Sequence, residues 1–214
     1  MSNFLTEHLI HRDKDFMVIH KPAGILTVPG KTEDLKDCVI SRLLKTEPRT
    51  LLIHRLDRDT SGILVFALSR TGQNSISRQF QERQTSKTYQ ALVAGRLEGE
   101  GEISVPVVYD PAHPPLHIAD PEHNKTALTL WKAVEHSEIQ GQPVTRVELT
   151  PVTGRSHQLR VHMQYLGHPI IGDTLYATEE QQSLAERLCL HAAYLSFSHP
   201  VSGEKVEFHC AVPF

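Results

Sequence analysis

Cysteine is scarce in this sequence, with 3 residues among 214. Cys38, Cys189 and Cys210 are odd in number and widely spaced, which argues against a disulfide framework and against a cysteine-based zinc site. Disulfides accumulate in proteins of oxidising compartments. The cysteine content therefore fits a reducing compartment, and we expect a cytoplasmic protein.

Long apolar runs are also absent. No stretch approaches the roughly 20 apolar residues that a membrane-spanning helix needs. Residues 1–10 contain Glu7 and lack a basic start followed by an apolar segment, which is the arrangement of a secretory signal peptide. We therefore expect neither a signal peptide nor a membrane partner.

The sequence has no overall basic excess, although nucleic-acid-binding proteins usually carry one. It contains 22 lysines and arginines against 25 aspartates and glutamates, for a formal net charge of −3. The distribution is uneven, because residues 54–96 hold 7 basic and 3 acidic residues and residues 97–141 hold 2 and 8. A polyanion responds to such a local surface. An ordinary fluctuation along a mixed-charge chain would give the same counts.

Hydrophobic periodicity predicts more strands than helices. Strand patterns lie at residues 15–20, 63–68, 86–94, 102–108, 126–134 and 144–151, with two more around residues 200–203. Helical patterns lie at residues 35–44, 157–166 and 179–188, and from a cap at Ser69 or Thr71 to about Gln84. No regular βαβ alternation is present, which predicts an α+β fold with a mixed, largely antiparallel β-sheet and flanking helices. Without repeats or low-complexity tracts, we expect residues 1–214 to form a single domain.

The most unusual segment is residues 54–62 (HRLDRDTSG), where two aspartates and two arginines lie within five residues before a buried strand. One interpretation is a polar turn in which Asp59, Thr60 and Ser61 satisfy backbone groups. The other is a functional carboxylate, Asp57, which nearby guanidinium groups keep ionised. Arginine also suits phosphate. The residues alone leave both interpretations open.

A second polar segment is residues 153–162 (TGRSHQLRVH). Ser156 suits a helix N-cap, and on the helix that follows it His157, Arg160 and Gln164 share one face. This face is either a solvated polar surface or the surface that brings Arg160 to an anion. Asp57 is one candidate for that anion.

The chain has 14 histidines, but their spacing does not predict a metal site. His157 and His162 are five residues apart, which places them poorly for joint ligation from one helix face. His113, His117 and His123 lie in a proline-rich loop without a clear carboxylate partner. The sequence also lacks a Gly-x-Ser-x-Gly elbow, a Walker A motif and a Rossmann glycine pattern. We therefore expect no metal and no cofactor.

Three blocks of sequence, in the expected order, resemble the motifs of the RluA family of RNA pseudouridine synthases. They are residues 21–24 (KPAG), residues 54–62, and residues 153–162 with their continuation at 168–173 (HPIIGD) and 190–192 (LHA). The resemblance spans roughly residues 10–214 and is greatest to the short RluA subtype. Because few residues precede Asp15, we expect no separate N-terminal RNA-binding domain.

The resemblance implies a role for each matching residue. Asp57 matches the catalytic aspartate, and Arg160 matches the basic residue that pairs with it. Tyr89 matches the tyrosine that stacks on the target base, although a cross-strand core contact would also suit it. Arg55 matches the arginine that fills the hole left by the extruded nucleotide. The other residues expected to bind RNA or assist base flipping are His54, Arg58, Arg155 and His157.

The resemblance further implies a monomeric isomerase of the pseudouridine synthase fold. Its expected partner is structured RNA, in which it converts specific uridines to pseudouridine after flipping them out of the stack. The short subtype is associated with a transfer RNA anticodon stem-loop and a loop of large-subunit ribosomal RNA. Two alternatives stay open: a non-catalytic RNA-binding or RNA-chaperone module on the same fold, and a metal-dependent hydrolase that uses the histidines.

Overall fold

The computed structural model describes residues 4–214, and the chain forms two compact units. The first unit comprises Met1–Lys87 and Ala192–Pro213, and the second comprises Thr88–His191 and Phe214. The single domain expected over residues 1–214 stays a prediction, and its first three residues lie outside the described part of the chain.

Short helices and longer strands alternate irregularly along the chain. The helices within residues 4–214 are α1 (Phe4–His8), α2 (Val39–Leu44), α3 (Arg70–Gln81), α4 (Gln158–Tyr165) and α5 (Glu179–Ser183), with a 3₁₀ turn at Glu33–Leu35. The strands are β1 (Leu9–Arg12), β2 (Phe16–Lys21), β3 (Leu51–Leu52), β4 (Ser61–Ala67), β5 (Ser86–Ala94), β6 (Glu100–Ser104), β7 (Val107–Tyr109), β8 (His117–Ala119), β9 (Leu128–Ile139), β10 (Gln142–Pro151), β11 (Leu190–Ser198) and β12 (Lys205–His209).

The first unit is built on strands in the order β1-β2-β4-β11-β12, with β3 also paired to β4. The pairs β1–β2, β2–β4, β3–β4 and β11–β12 are antiparallel. All seven residues of β4 are buried, as expected of a continuous apolar run. Alternate side chains of the sheet form one core cluster with Ile76 of α3: Phe16, Val18, Ile63, Val65, Leu195 and Phe197.

The second unit is an antiparallel sheet in the order β5-β10-β9-β6, beside a separate antiparallel pair of β7 and β8. Val147 and Leu149 of β10 are fully buried and lie opposite Ala91 and Tyr89 of β5. Helix α4 contributes Leu159 and Met163 to the same core. The α+β class with a largely antiparallel sheet is therefore confirmed, and no helix within residues 4–214 is long and apolar enough to cross a membrane.

The start of α4 differs from the prediction. The N-cap is His157 and not Ser156, and His157 adopts a left-handed conformation with φ 56° and ψ 13°. The Gln158 side chain holds the turn before the helix, because its Oε1 accepts hydrogen bonds from the Thr153 hydroxyl at 2.7 Å and the Arg155 backbone N–H at 3.0 Å. The first residue of the helix thus holds the preceding turn, an arrangement that N-cap preferences do not reveal.

Candidate active site

Asp57 lies in the loop between β3 and β4, half-buried beside the buried side chain of Leu56. The loop backbone before Asp57 is fixed by Thr27, which is 2% exposed. The Thr27 hydroxyl donates to the Leu56 carbonyl at 2.8 Å and accepts from the Leu56 N–H at 3.1 Å. One buried hydroxyl therefore satisfies both backbone groups of the residue that precedes the aspartate.

The loop backbone after Asp57 is fixed by a buried lysine. Lys21, at the end of β2, has 0% exposure. Its ammonium group donates to the carbonyl oxygens of Arg58 and Thr60, both at 2.8 Å, and of Pro22 at 2.9 Å. An ammonium has three N–H donors, and three carbonyl oxygens surround this one. Asp57 therefore projects from a loop whose backbone is held on both sides.

The two loop arginines are exposed, and His54 is enclosed. Arg55 is exposed, and so is Arg58, whose Nε donates to the Gly24 carbonyl at 3.3 Å. The His54 ring stacks on Phe80 with centroids 4.5 Å apart, and its Nε2 accepts the Val65 backbone N–H at 3.1 Å. Burial lowers the pKa of His54 to about 3, and the Lys87 charge adds to the effect. His54 is therefore a neutral packing residue, and its predicted contact with RNA stays a prediction.

Tyr89 lies on β5 in the second unit, half-buried and packed against the core of that unit. Its neighbours on the same face of the strand, Ala91 and Val93, are fully buried. The tyrosine is therefore the last residue of an apolar stripe as the strand reaches the surface. This placement suits both a core contact and a stacking platform for a base, and the second role stays a prediction.

Arg160 is buried on α4 and forms a two-pronged ion pair with Asp173. Its Nε and Nη2 donate to Asp173 Oδ2 at 2.7 Å and Oδ1 at 2.6 Å, and the two residues are 2% and 0% exposed. The carboxylate also accepts the backbone N–H of Leu175 at 2.9 Å and of Tyr176 at 3.2 Å. A buried charge needs such pairing. The predicted pair of Arg160 with Asp57 joins residues of different units and stays a prediction.

His157 and Arg155 lie in the turn that precedes α4. The His157 Nδ1 is 2.6 Å from the Tyr176 hydroxyl, and the His157 ring lies 4.8 Å from the His117 ring. Arg155 is exposed and its Nε donates to the Thr126 carbonyl at 3.3 Å. Of the two interpretations left open for the polar face of α4, a solvated surface does not hold at Arg160, because Gln158 to Met163 are all buried, whereas Gln164 is exposed. The helix carries partnered polar groups into the interior.

One group among the described residues has metal-ligand character: Asp13, Asp15 and His199, with donor atoms within 4.8 Å of one another. The His199 Nδ1 accepts the backbone N–H of Val201 and of Ser202, both at 3.2 Å. Because the proton of a neutral imidazole then resides on Nε2, this nitrogen donates to Asp13 Oδ2 at 3.1 Å. A metal needs the lone pair that this proton occupies, so we assign the group to hydrogen bonding.

Comparisons with known proteins now give the family. A family model described as RNA pseudouridylate synthase matches residues 15–165. The chain belongs to the RNA pseudouridylate synthase family. The matched segment includes Lys21, the Asp57 loop, Tyr89 and Arg160, and the resemblance inferred from the sequence is confirmed. The roles of the individual residues stay predictions.

Two of the relatives that this chain resembles are named "Dual-specificity RNA pseudouridine synthase RluA". The protein of Pasteurella multocida (strain Pm70) is 44% identical over 207 residues, covering 96% of this chain and 93% of that protein. The protein of Escherichia coli (strain K12) is 41% identical with the same coverage. Both are named as enzymes, which favours the catalytic interpretation over a non-catalytic RNA-binding module.

Solved structures of family members share the fold. Human RNA Pseudouridylate Synthase Domain Containing 1 has a TM-score of 0.82 and 33% identity, covering 97% of this chain and 84% of that chain. Human RNA Pseudouridylate Synthase Domain Containing 4, at 24% identity and a TM-score of 0.76, shows the fold alone.

Three residues that support the candidate site were not singled out from the sequence: Thr27, Asp173 and Tyr176. Asp173 and its preceding glycine were visible as part of the third block, but no spacing rule connects them to Arg160. The sequence does carry one signal, the glycine at position 172. In the structure Gly172 has φ 71°, and a Cβ there would lie 1.9 Å from the Arg187 carbonyl oxygen, so only glycine fits. A glycine that fixes the backbone directly before an aspartate indicates that the position of this aspartate matters.

Proposed function

We propose that this protein is an RNA pseudouridine synthase that isomerises uridine to pseudouridine, with Asp57 as its catalytic carboxylate. The observation that carries the proposal is the rigid presentation of Asp57: buried Thr27 and Lys21 bind the backbone on its two sides. A catalytic group that is held in place before the substrate binds lowers the activation barrier, because the side chain need not be ordered during the reaction. Family membership supports the same assignment.

The proposed reaction needs neither oxidant nor net hydrolysis. The bond between N1 of the base and C1′ of the ribose breaks, the base turns, and C5 bonds to C1′. The proton on C5 leaves to solvent and N1 gains one, so the composition is unchanged. Asp57 acts either as a nucleophile at C1′ or as a base that takes a proton from the sugar. Arg55, exposed in the same loop, is proposed to occupy the space of the flipped nucleotide.

The test is release of tritium from RNA that contains [5-³H]uridine. We expect Asp57→Asn to keep the fold and RNA binding and to release no tritium above background, because an amide is neither a nucleophile nor a base. The matched control is Asp59→Asn in the same loop, which should retain activity within a few-fold. Activity in Asp57→Asn close to that of the unsubstituted protein would remove Asp57 from the mechanism. RNA binding without tritium release by the unsubstituted protein would restore the non-catalytic alternative.

We further propose two RNA substrates, a transfer RNA anticodon stem-loop and a loop of large-subunit ribosomal RNA. The support is the name of the relatives, which states dual specificity for RNA, together with the two RNAs with which the short RluA subtype is associated. Pseudouridine mapping of total RNA from cells with and without this gene should show one lost position in each RNA class. Loss in one class alone would reduce the proposal to a single substrate.

We also propose that the protein acts in the cytoplasm, because both proposed substrates belong to the translation machinery. The family resemblance further implies that it works as a monomer. Light scattering after size exclusion should return a mass near the 24.1 kDa of the chain. A mass of twice that value would contradict the monomer.

A further inference from the structure

The strongest unexplained feature of the second unit is the number of contacts made by Tyr176. The residue is 6% exposed and lies in a small apolar cluster with Val107, Ala127 and Val161. Burial in such a cluster would suit phenylalanine or leucine equally well. The hydroxyl and the ring face each contact a residue of the third sequence block, which packing alone does not require.

The hydroxyl joins two segments that are far apart in the sequence. It accepts the backbone N–H of His117, in strand β8, at 2.9 Å. It also lies 2.6 Å from the Nδ1 of His157, at the start of α4. His157 is held in a left-handed conformation at φ 56°, which is costly for a residue with a Cβ. Its side chain makes no cap hydrogen bond within the helix, so the hydroxyl of Tyr176 is a contact that fixes this strained residue.

The ring of Tyr176 covers Arg160. The guanidinium carbon lies 5.0 Å from the ring centroid, within the range of a cation–π contact. The carboxylate of Asp173 holds the edge of the same guanidinium, and the Tyr176 backbone N–H donates to that carboxylate at 3.2 Å. Tyr176 therefore contacts Arg160 with its ring and the partner of Arg160 with its backbone.

We propose that Tyr176 is a positioning residue for the proposed pseudouridine synthase reaction, acting through its ring on Arg160 and through its hydroxyl on His157 and β8. This inference rests on the proposed function and on the roles that the family resemblance implies, in which Arg160 serves the chemical step and His157 contacts RNA. The two contacts are separable. Tyr176→Phe keeps the ring over Arg160 and removes the hydroxyl, whereas Tyr176→Leu removes both.

The kinetic test compares KM and kcat for pseudouridine formation in a saturable RNA substrate. We expect Tyr176→Phe to raise KM about fivefold, the equivalent of the one hydrogen bond that positions His157, and to leave kcat within about twofold. Tyr176→Leu should raise KM similarly and lower kcat about tenfold. The matched controls are Tyr165→Phe and Tyr165→Leu at the end of α4, the helix that carries Arg160, where the tyrosine is 54% exposed. Both controls should match the unsubstituted protein.

Thermal unfolding of each variant separates positioning from loss of fold, and rates are compared per folded molecule. Equal falls in kcat for Tyr176→Phe and Tyr176→Leu, or an unchanged KM in Tyr176→Phe, would overturn the proposal. Should Tyr176→Leu fail to fold, the split between KM and kcat in Tyr176→Phe decides alone.

A second readout does not depend on the proposed function. The Nε–H of Arg160 should give a slowly exchanging NMR signal in the unsubstituted protein and in Tyr176→Phe, and a faster exchanging, shifted signal in Tyr176→Leu. The same exchange rate in all three proteins would overturn the role of the ring. If the unsubstituted protein formed no pseudouridine, the proposed function would fail while this measurement still tested Tyr176.

Discussion

At the scale of single residues, the buried lysine beside the Asp57 loop shows how a buried charge can hold the backbone in place. Lys21 has 0% exposure and donates to three carbonyl oxygens around the Asp57 loop. The contact with Thr60 is fully buried, and those with Pro22 and Arg58 are partly buried. The cost of removing the ammonium is therefore that of leaving these acceptors unsatisfied, in addition to the lost contacts.

We predict that Lys21→Met destabilises the protein by about 2–4 kcal/mol, because a thioether of similar length cannot donate to the three carbonyls. The pseudouridine-forming rate of the remaining folded protein should also fall, since the Asp57 loop loses its restraint. Urea unfolding measures the change in the free energy of unfolding. Lys14→Met is the control, because Lys14 is exposed at a nearby position of the chain. Equal stabilities of the two variants would contradict the prediction.

Glu47 is another buried charge, and it forms ion pairs with two arginines. Its side chain is 7% exposed and contacts the guanidinium groups of Arg49 and Arg12. Hydrogen bonds from Arg49 and then Arg12 lower the pKa of Glu47 to about 2, from an ordinary value near 4.5. Arg12 joins strand β1 to the end of α2 through this carboxylate, so the ion pairs connect two elements of the first unit.

The stabilisation from Glu47 should depend on pH. A carboxylate whose pKa is lower in the folded state stabilises that state fully above its unfolded pKa near 4.5, and loses the effect as pH falls toward 2. We predict that Glu47→Gln costs about 1–2 kcal/mol at pH 7, a value reduced because both arginines are 41% or more exposed. Thermal unfolding between pH 7 and pH 3.5 should show the difference between variant and unsubstituted protein shrinking below pH 4.5. A constant difference would exclude the ion pairs as its cause.

At the scale of elements, strand β4 is fixed by its close approach to β11 within the first unit. Gly62 has φ 118°, and a Cβ at this position would lie 2.3 Å from the carbonyl oxygen of Ala192. Neither strand can move away without breaking the core formed by Ile63, Val65 and Leu195. Only glycine therefore satisfies both the backbone angle and the spacing.

We predict that Gly62→Ala destabilises the protein by more than about 2 kcal/mol, because the added methyl meets backbone that cannot yield. Gly203→Ala is the control, since Gly203 also has a positive φ, 75°, but open space around its missing Cβ. The control should cost only about 1 kcal/mol. Chemical denaturation of both variants gives the difference. Equal losses would mean that the backbone angle, and not the approach of Ala192, sets the cost.

The elements also show which features the sequence can predict. The apolar run of β4 and the Ser69 cap of α3 are local signals, and both are confirmed, with the Ser69 hydroxyl accepting from the Gly72 N–H at 2.9 Å. Helix α4 is the contrary case. Its polar residues look solvent-exposed by periodicity, yet Arg160 is buried because Asp173, thirteen residues later, supplies a carboxylate. An ion pair between residues far apart in the sequence produces no periodic pattern. The contacts that hold Arg160 can therefore be found only in the folded structure.

At the scale of the whole molecule, the net charge of −3 is a poor guide to RNA binding. The exposed arginines next to Asp57 belong to a segment with 7 basic and 3 acidic residues, whereas the following segment has 2 and 8. RNA affinity should then rest on few phosphate contacts and on the shape of the loop. Acidic regions elsewhere limit non-specific binding.

We predict that RNA affinity has a shallow salt dependence, and that Arg58→Ala lowers the slope of log Kd against log salt concentration by about 0.7–0.9, as for one lost phosphate contact. Arg55→Ala should weaken binding at every salt concentration without changing the slope, because Arg55 is proposed to occupy the space of the flipped nucleotide. Arg96→Ala is the control, because the Arg96 Nε donates to Glu98 at 2.6 Å and this pair is already neutral. Fluorescence anisotropy with a labelled RNA hairpin between 50 and 300 mM salt, about the usual working range, measures the slopes. A loss of slope in Arg55→Ala equal to that in Arg58→Ala would assign Arg55 to a phosphate contact and not to the vacated base position. The same loss of slope in Arg96→Ala would show that the binding surface extends beyond the Asp57 loop.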